Sequence, residues 1–282
     1  MVSVIMPAFN ESENIVKNVK EVVDVLSGLG GGFEVIVVDD GSSDNTCLRA
    51  EQALVEKPER VRVIRYDVNK GKGNALVAGV CSARGEYVVF LDADMDLHPR
   101  QLPLFFAMME SQGADAVIGS KWHPLSSVRY PPLRRFYSKV YYGIVRLLFG
   151  LPVRDTQTGL KLFKMALLRD VFPHLLVKRF AFDVEVLAIA WARGYKIVDA
   201  PVTLECTRAV PRPKFHHVWP TLLDTLAIFY RLRILHHYDK LTLLGAARGV
   251  ADGSVRELRV LGGRGAEGSD NAKAEEPAEA LA

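Results

Sequence analysis

The sequence predicts an α/β protein, a doubly wound and mostly parallel sheet followed by a C-terminal amphipathic helix. Three observations carry that expectation. Over the first 120 residues, short β-rich runs alternate with longer amphipathic stretches, the pattern left by strand–helix–strand crossovers. Each of the first four β-rich runs ends in a polar cluster, and in such sheets ligands bind beyond the carboxyl ends of the strands. Further on, residues 217–240 place large apolar groups on one helical face and basic groups at one end.

Strands are expected at Val2–Met6, Phe33–Asp39, Val61–Tyr66, Tyr87–Leu91 and Ala116–Gly119. Between them Ser12–Ser27, Thr46–Glu56, Lys72–Ala83 and Pro99–Ser111 read as helices. In the first, Ile15, Val19, Val22, Val23 and Leu26 recur at helical spacing, and Ser12 can cap it. After residue 120 the pattern changes. Tyr130-Pro-Pro starts an aromatic, Arg-rich helix that runs to about Phe149. A polar loop at Arg154–Thr158, a strand at Gly159–Lys164, a helix at Phe182–Arg193 and a strand at Lys196–Ala200 follow. Residues 217–240 read as one long helix, and 246–282, poor in large apolar groups, as disordered. The chain thus divides into a domain at 1–210, a helical segment at 211–245 and a tail at 246–282.

With 282 residues, 49% of them hydrophobic, the chain can bury a substantial core. Cys47, Cys81 and Cys206 are odd in number and form no CxxC pair. That argues against a disulfide framework or a structural zinc site and suits a reduced compartment. No secretory leader precedes the first strand, and no uncharged apolar run reaches the roughly 18 residues that span a bilayer. The net charge of +3 hides an asymmetry. Residues 1–120 hold 11 Lys/Arg against 18 Asp/Glu, a net of −7, whereas 121–180 hold 12 against two, a net of +10. The basic segment is either a solvated face or an anion site for phosphate or lipid. No nucleic-acid-binding signature accompanies it.

The polar clusters are Pro7-Ala8-Phe9-Asn10-Glu11, Asp39–Asp44, Asn69–Asn74 and Asp92-Ala93-Asp94-Met95-Asp96. The last is the most informative. Asp92, Asp94 and Asp96 form a close group of carboxylates, which resist ionising together unless a cation compensates. Mg²⁺ or Mn²⁺ does so, with carboxylates on one side and substrate phosphates on the other. A solvated acidic loop ahead of the next helix would also account for them. The 69–74 loop can turn backbone N–H groups toward an anion, though it matches neither the P-loop nor the dinucleotide fingerprint.

Together, in this order, the clusters resemble family-2 glycosyltransferases with the GT-A fold, over about residues 2–205. Gly119-Ser120-Lys121, Asp155–Phe163 and Arg179–Glu185 resemble the polyprenyl-phosphate branch, above all the dolichyl-phosphate glucosyltransferases, with the mannosyltransferases next. The resemblance implies that Pro7, Ala8, Phe9 and Glu11 line the base and ribose pocket, with Asp39 or Asp40 on the nucleobase edge. Lys72, Asp92, Ala93 and Asp94 complete the donor site. Asp94 would be the principal metal ligand, Asp92 would contact ribose or metal, and Asp96 would be a third ligand. Lys121, Arg134 and Lys161 match basic positions near the phosphates, Lys121 and Arg134 with a catalytic role. Asp155, Gln157, Asp183 and Glu185 are candidates for the sugar, with Asp183 and Glu185 alternatively the polar edge of an apolar helix. The implied donor is a nucleoside diphosphate sugar; UDP-glucose is favoured, and Thr158 and Lys161 weaken a GDP-mannose reading.

The implied reaction is inverting hexose transfer to a polyprenyl phosphate by a single in-line displacement. A lipid phosphate is already ionised near neutral pH and needs no base, but it needs the cations the basic segment supplies. Transfer to a saccharide hydroxyl would need one. The remaining alternative is a non-catalytic sugar-nucleotide-binding or membrane-docking protein. Trp219, Leu222, Leu223, Leu226, Phe229 and Tyr230, with Arg231, Arg233 and Lys240 beyond, suit a helix lying on anionic lipid. They equally suit a helix packed on the core or at a dimer contact; the lipid acceptor favours a peripheral place at the cytoplasmic membrane face.

Overall fold

The computed structural model describes residues 1–56, 59–128, 132–177, 181–204 and 218–240. The first half alternates as expected: β1 (Val2–Ala8), α1 (Ile15–Leu29), β2 (Phe33–Asp39), α2 (Thr46–Glu56), β3 (Val61–Arg65), α3 (Lys72–Ser82), β4 (Tyr87–Leu91), α4 (Leu102–Gln112) and β5 (Ala116–Ser120). The second half supplies β6 (Ser127–Val128), α5 (Pro132–Phe149), β7 (Leu160–Lys164), α6 (Met165–Val171), α7 (Phe182–Ala192), β8 (Ile197–Pro201) and β9 (Thr203–Leu204).

Seven strands form one sheet in the order β3-β2-β1-β4-β7-β5-β8. All neighbours are parallel except β7, which runs antiparallel to both β4 and β5. The reversal matters for function. It brings the start of β7 to the carboxyl end of β4, where the Asp92 N–H donates to the Gly159 carbonyl at 3.1 Å. β6 and β9, absent from the sequence-based expectation, pair in a separate two-stranded sheet.

The strands are buried on both faces, and alternation divides their side chains between two layers. Ile5, Ile36, Val88 and Ile118 face Leu76, Phe149, Leu168 and Phe182. Val4, Val35, Val89 and Val117 face Ile15, Val19, Ala50 and Phe105. α7 is buried on every side over Phe182–Ala190, so its acidic residues must find partners inside the protein.

The long C-terminal helix expected at 217–240 is broken. α8 (Val218–Phe229) gives way to a π-helical turn at Tyr230–Ile234, and α9 (His237–Lys240) follows. His236, at φ +48°, takes the left-handed backbone that ends a right-handed helix. α8 packs inward through buried Thr225 and Ile228, with the Phe229 ring edge-on to Phe149 at 6.2 Å. Its other face leaves Trp219, Leu223 and Leu226 exposed. Tyr130, Pro131, Cys206, the 205–217 connection and the expected tail at 246–282 lie outside the described residues.

Candidate active site

Side-chain carboxylates and backbone N–H groups lock the loops after β1, β2 and β3 together. Asp40 accepts the Lys70 and Gly71 N–H groups, each at 2.8 Å. Asn10 Oδ1 accepts the Ser43 N–H at 3.0 Å, and Ser42 Oγ accepts the Asn10 N–H at 2.9 Å. Gly41 has φ +69°, and a Cβ there would sit 2.4 Å from the Asn69 nitrogen, so the close approach of these loops requires glycine. Burial pushes the Asp40 carboxyl up, against the two N–H groups that favour its ionised form. Asp39 points the other way. It is fully buried, accepts the Ser42 N–H at 3.0 Å and has Arg65 Nε at 3.6 Å.

Beyond β4 the chain turns sharply. Met95 has φ +57°, its N–H donates to the Asp92 carbonyl, and the Asp96 N–H donates to Asp94 Oδ1 at 3.2 Å. Asn18 on α1 fixes the turn by donating to the Ala93 carbonyl at 2.7 Å. Asp92 Oδ1 pairs with Lys72 Nζ at 2.5 Å. Burial alone would raise Asp92 and lower Lys72; their mutual attraction outweighs it, holding Asp92 below and Lys72 above their usual ranges. Asp94 has no such partner among the described residues. Burial, with Asp92 and Asp96 beside it, pushes its carboxyl up to about 6.

These residues meet in one cavity of about 920 Å³, lined by Pro7, Ala8, Phe9, Glu11 and Asp40, by the 69–73 loop, and by Asp92, Ala93 and Asp94. Gln157, Phe182, Asp183, Pro220, Thr221 and Asp224 also line it. A second pocket of about 130 Å³ adjoins it through Asp92, Asp94 and Gln157, and adds Asp96, Lys121 and Gly159. The sheet order gives the large cavity a direction: loops after β3, β2 and β1, then the β4 carboxylates, then the approach to β7.

Several expected site residues are placed elsewhere. Asp39 does not line the cavity; Asp40 does. Asp96 reaches only the smaller pocket, and no group of three or more His, Cys, Asp or Glu side chains poised for a metal occurs among the described residues. The turn at Met95 breaks the strand alternation that would have aligned three carboxylates. Lys161 is buried behind the cavity, paired with Asp183 at 2.8 Å and donating to the Thr158 carbonyl at 2.5 Å. Asp155 accepts the Gln157 N–H at 3.0 Å and pairs with Lys121 at 3.3 Å, so it holds Lys121 rather than lining either pocket. Arg134 falls in the first turn of α5, and its side chain lies outside the described residues.

Glu185 is the clearest correction. It is fully buried and does not line the cavity; Oε2 accepts the Leu176 and Val177 N–H groups at 3.0 and 2.7 Å, and Oε1 accepts the Tyr238 hydroxyl at 2.6 Å. It ties α7 to the C-terminal segment. The residues missed from the sequence are Phe182, Pro220, Thr221 and Asp224. Their only signal was membership of helices read for their apolar faces.

The arrangement provides hard oxygen donors, a carboxylate at Asp94 with no cationic partner among the described residues, and a lysine beside a loop of backbone N–H groups. Mg²⁺ and Mn²⁺ accept one or two carboxylates with substrate phosphates completing the shell, so Asp92 and Asp94 fit such an ion without a third protein ligand.

Comparison with known proteins shows the family and the fold. The family described as Glycosyl transferase family 2 matches residues 3–172. Glycosyltransferase AglD of Haloferax volcanii is 32% identical over 206 residues, 72% of this chain and 33% of that protein. The dolichyl-phosphate beta-glucosyltransferase of Saccharomyces cerevisiae is 30% identical over 221 residues, 71% of this chain and 66% of that one. The chain therefore spans a third to just under two thirds of these relatives. Glucosyl-3-phosphoglycerate synthase from Mycobacterium tuberculosis, solved with Mn²⁺, UDP-glucose and phosphoglyceric acid, has the same fold. Its TM-score is 0.60 at 22% identity, covering 82% of this chain and 78% of that one.

Proposed function

We propose that this chain, which belongs to glycosyl transferase family 2, transfers a hexose from a nucleoside diphosphate sugar to a polyprenyl phosphate with inversion at the anomeric carbon. In this reading the donor is UDP-glucose and the acceptor a dolichyl-type phosphate. The names of relatives from yeast and Drosophila melanogaster support both the glucose and the acceptor.

One observation carries the proposal. The loops after β1 and β2 share a single cavity with Asp92 and Asp94. A base, a ribose and a diphosphate laid along it would run from Asp40 and Phe9, past Lys72, to the carboxylates. A Mg²⁺ or Mn²⁺ ion bound by Asp92 and Asp94 would supply positive charge to the departing diphosphate, where it counts most as the glycosidic bond breaks. Lys72 adds a second cation on the same path. An ionised acceptor phosphate would attack without a general base, and Lys121, which lines the adjoining pocket, would steady it.

The exposed face of α8 supports peripheral contact with the cytoplasmic membrane face. Trp219, Leu223 and Leu226 there, with Tyr230 in the following turn, are exposed apolar groups ahead of the exposed Arg233, while Arg231 turns inward to Glu185 at 3.8 Å. No described helix is long and apolar enough to cross a membrane. The test is a panel of UDP- and GDP-hexoses with Mn²⁺ or Mg²⁺ and short polyprenyl phosphates, read by mass spectrometry. An acid-labile lipid-phosphate hexose is expected; product only on saccharide hydroxyls would overturn the acceptor assignment.

A further inference from the structure

We propose that Asp224, with Thr221 beside it on α8, recognises hydroxyl groups of the hexose being transferred. The inference rests on the reading that a nucleoside diphosphate hexose occupies the large cavity. α8 lies beyond the residues the family pattern covers, yet it lines that cavity through Pro220, Thr221 and Asp224.

The direction of the cavity places this wall. Nucleoside-side loops follow β3, β2 and β1, and the diphosphate-side groups Lys72, Asp92 and Asp94 come next; Gln157 precedes β7, Asp183 on α7 pairs with Lys161 of β7, and α8 packs on α7. Whatever continues past the diphosphate meets α8. In a nucleoside diphosphate sugar, that part is the sugar ring.

Charge then selects the chemistry. Asp183, at the same end, is compensated by Lys161 at 2.8 Å. Asp224 is half-buried, and its carboxylate makes no hydrogen bond or ion pair among the described residues. An uncompensated carboxylate repels phosphate, and an ionised carboxylate can only accept hydrogen bonds. Sugar hydroxyls are donors of the right kind. The wall is also held firmly. Tyr141 on α5 and Thr225 on α8 share a hydrogen bond of 2.9 Å, and Thr225 donates to the Thr221 carbonyl at 2.7 Å. Burial, with Asp183 and Asp224 nearby, pushes the Tyr141 hydroxyl up to about 12, so it stays a neutral donor to this wall.

The experiment compares binding of each UDP- or GDP-hexose with that of its free nucleoside diphosphate. Calorimetry with Mn²⁺ would be run on wild type, Asp224→Ala and Asp224→Asn. Asp224→Ala should leave the free nucleotide within about twofold and weaken the sugar nucleotide about tenfold, with Asp224→Asn intermediate. It should also blunt discrimination between epimeric hexoses. Equal weakening of both ligands, or of neither, would overturn the assignment. So would unchanged binding with lost turnover and a lost acidic limb of the pH–rate profile, which would make Asp224 a base acting on the acceptor. Wild-type binding of a sugar nucleotide without transfer to polyprenyl phosphate would remove only the acceptor assignment. A wild type that binds no sugar nucleotide would overturn both.

Discussion

Lys72 Nζ lies 2.5 Å from Asp92 Oδ1, so one of the two carboxylates proposed to face the diphosphate is already paired with a lysine. The pair costs each member its freedom to serve a ligand. A diphosphate that draws Lys72 away releases Asp92 to a cation, and cation and nucleotide should therefore bind cooperatively. Lys72→Met should strengthen Mn²⁺ binding in the absence of nucleotide, by up to about tenfold, and weaken UDP binding by a similar factor. Mn²⁺ titration followed by electron paramagnetic resonance, with and without UDP, checks both signs.

Gly159 stands against the same carboxylate. A Cβ there would lie 2.5 Å from Asp92 Oδ2, while the Gly159 carbonyl accepts the Asp92 N–H. Gly159→Ala should displace the carboxylate and reduce kcat/KM roughly 10²-fold, the scale of a misplacement of about 1 Å. The thermal midpoint should move little. A loss of folding in place of a loss of rate would show in the same thermal scan.

The Glu185 clasp makes a prediction about stability. Tyr238 donates its hydroxyl to a carboxylate that is fully buried. Tyr238→Phe leaves that acceptor short of a partner and should cost about 1–3 kcal/mol in urea unfolding. Glu185→Ala should cost more, because it also orphans the Leu176 and Val177 N–H groups.

Asp44 sets an acid limit. Burial alone would raise its carboxyl, but hydrogen bonds from Thr46 and Ser12 outweigh that and bring it down to about 2. A carboxyl depressed in the folded state stabilises above its unfolded value of 3.8 and loses that contribution as pH falls through about 2. Asp44→Asn should be destabilised at neutral pH, and its deficit should close between these values. Urea midpoints across that range measure it.

Much of the site was legible because it sits at strand ends. Loops after parallel strands face one edge of the sheet, so Pro7–Glu11, Asp40 and Asp92–Asp94 could be grouped without coordinates. Choosing between neighbours was harder. Asp39 and Asp40 are adjacent, and extended backbone sends adjacent side chains to opposite sides, but sequence alone does not say which side is the cavity. Asp183 and Glu185 are two apart on a helix, which turns them about 200° from each other. Once Asp183 is assigned to the cavity, Glu185 must face away, an inference helical geometry already allowed. Asp96 was grouped with its neighbours by strand alternation, which the turn at Met95 ends. Asp224 was not legible. It reaches the cavity only through the packing of α8 on α5 and α7, a tertiary contact with no local pattern.

The decisive measurement is transfer of labelled hexose to a short polyprenyl phosphate by wild type and Asp94→Ala, with Mn²⁺ or with chelator. Wild type with Mn²⁺ should yield lipid-phosphate hexose, and Asp94→Ala should yield none above background while still folding. Asp94→Ala that turns over at the wild-type rate, or wild type indifferent to chelator, would contradict the account.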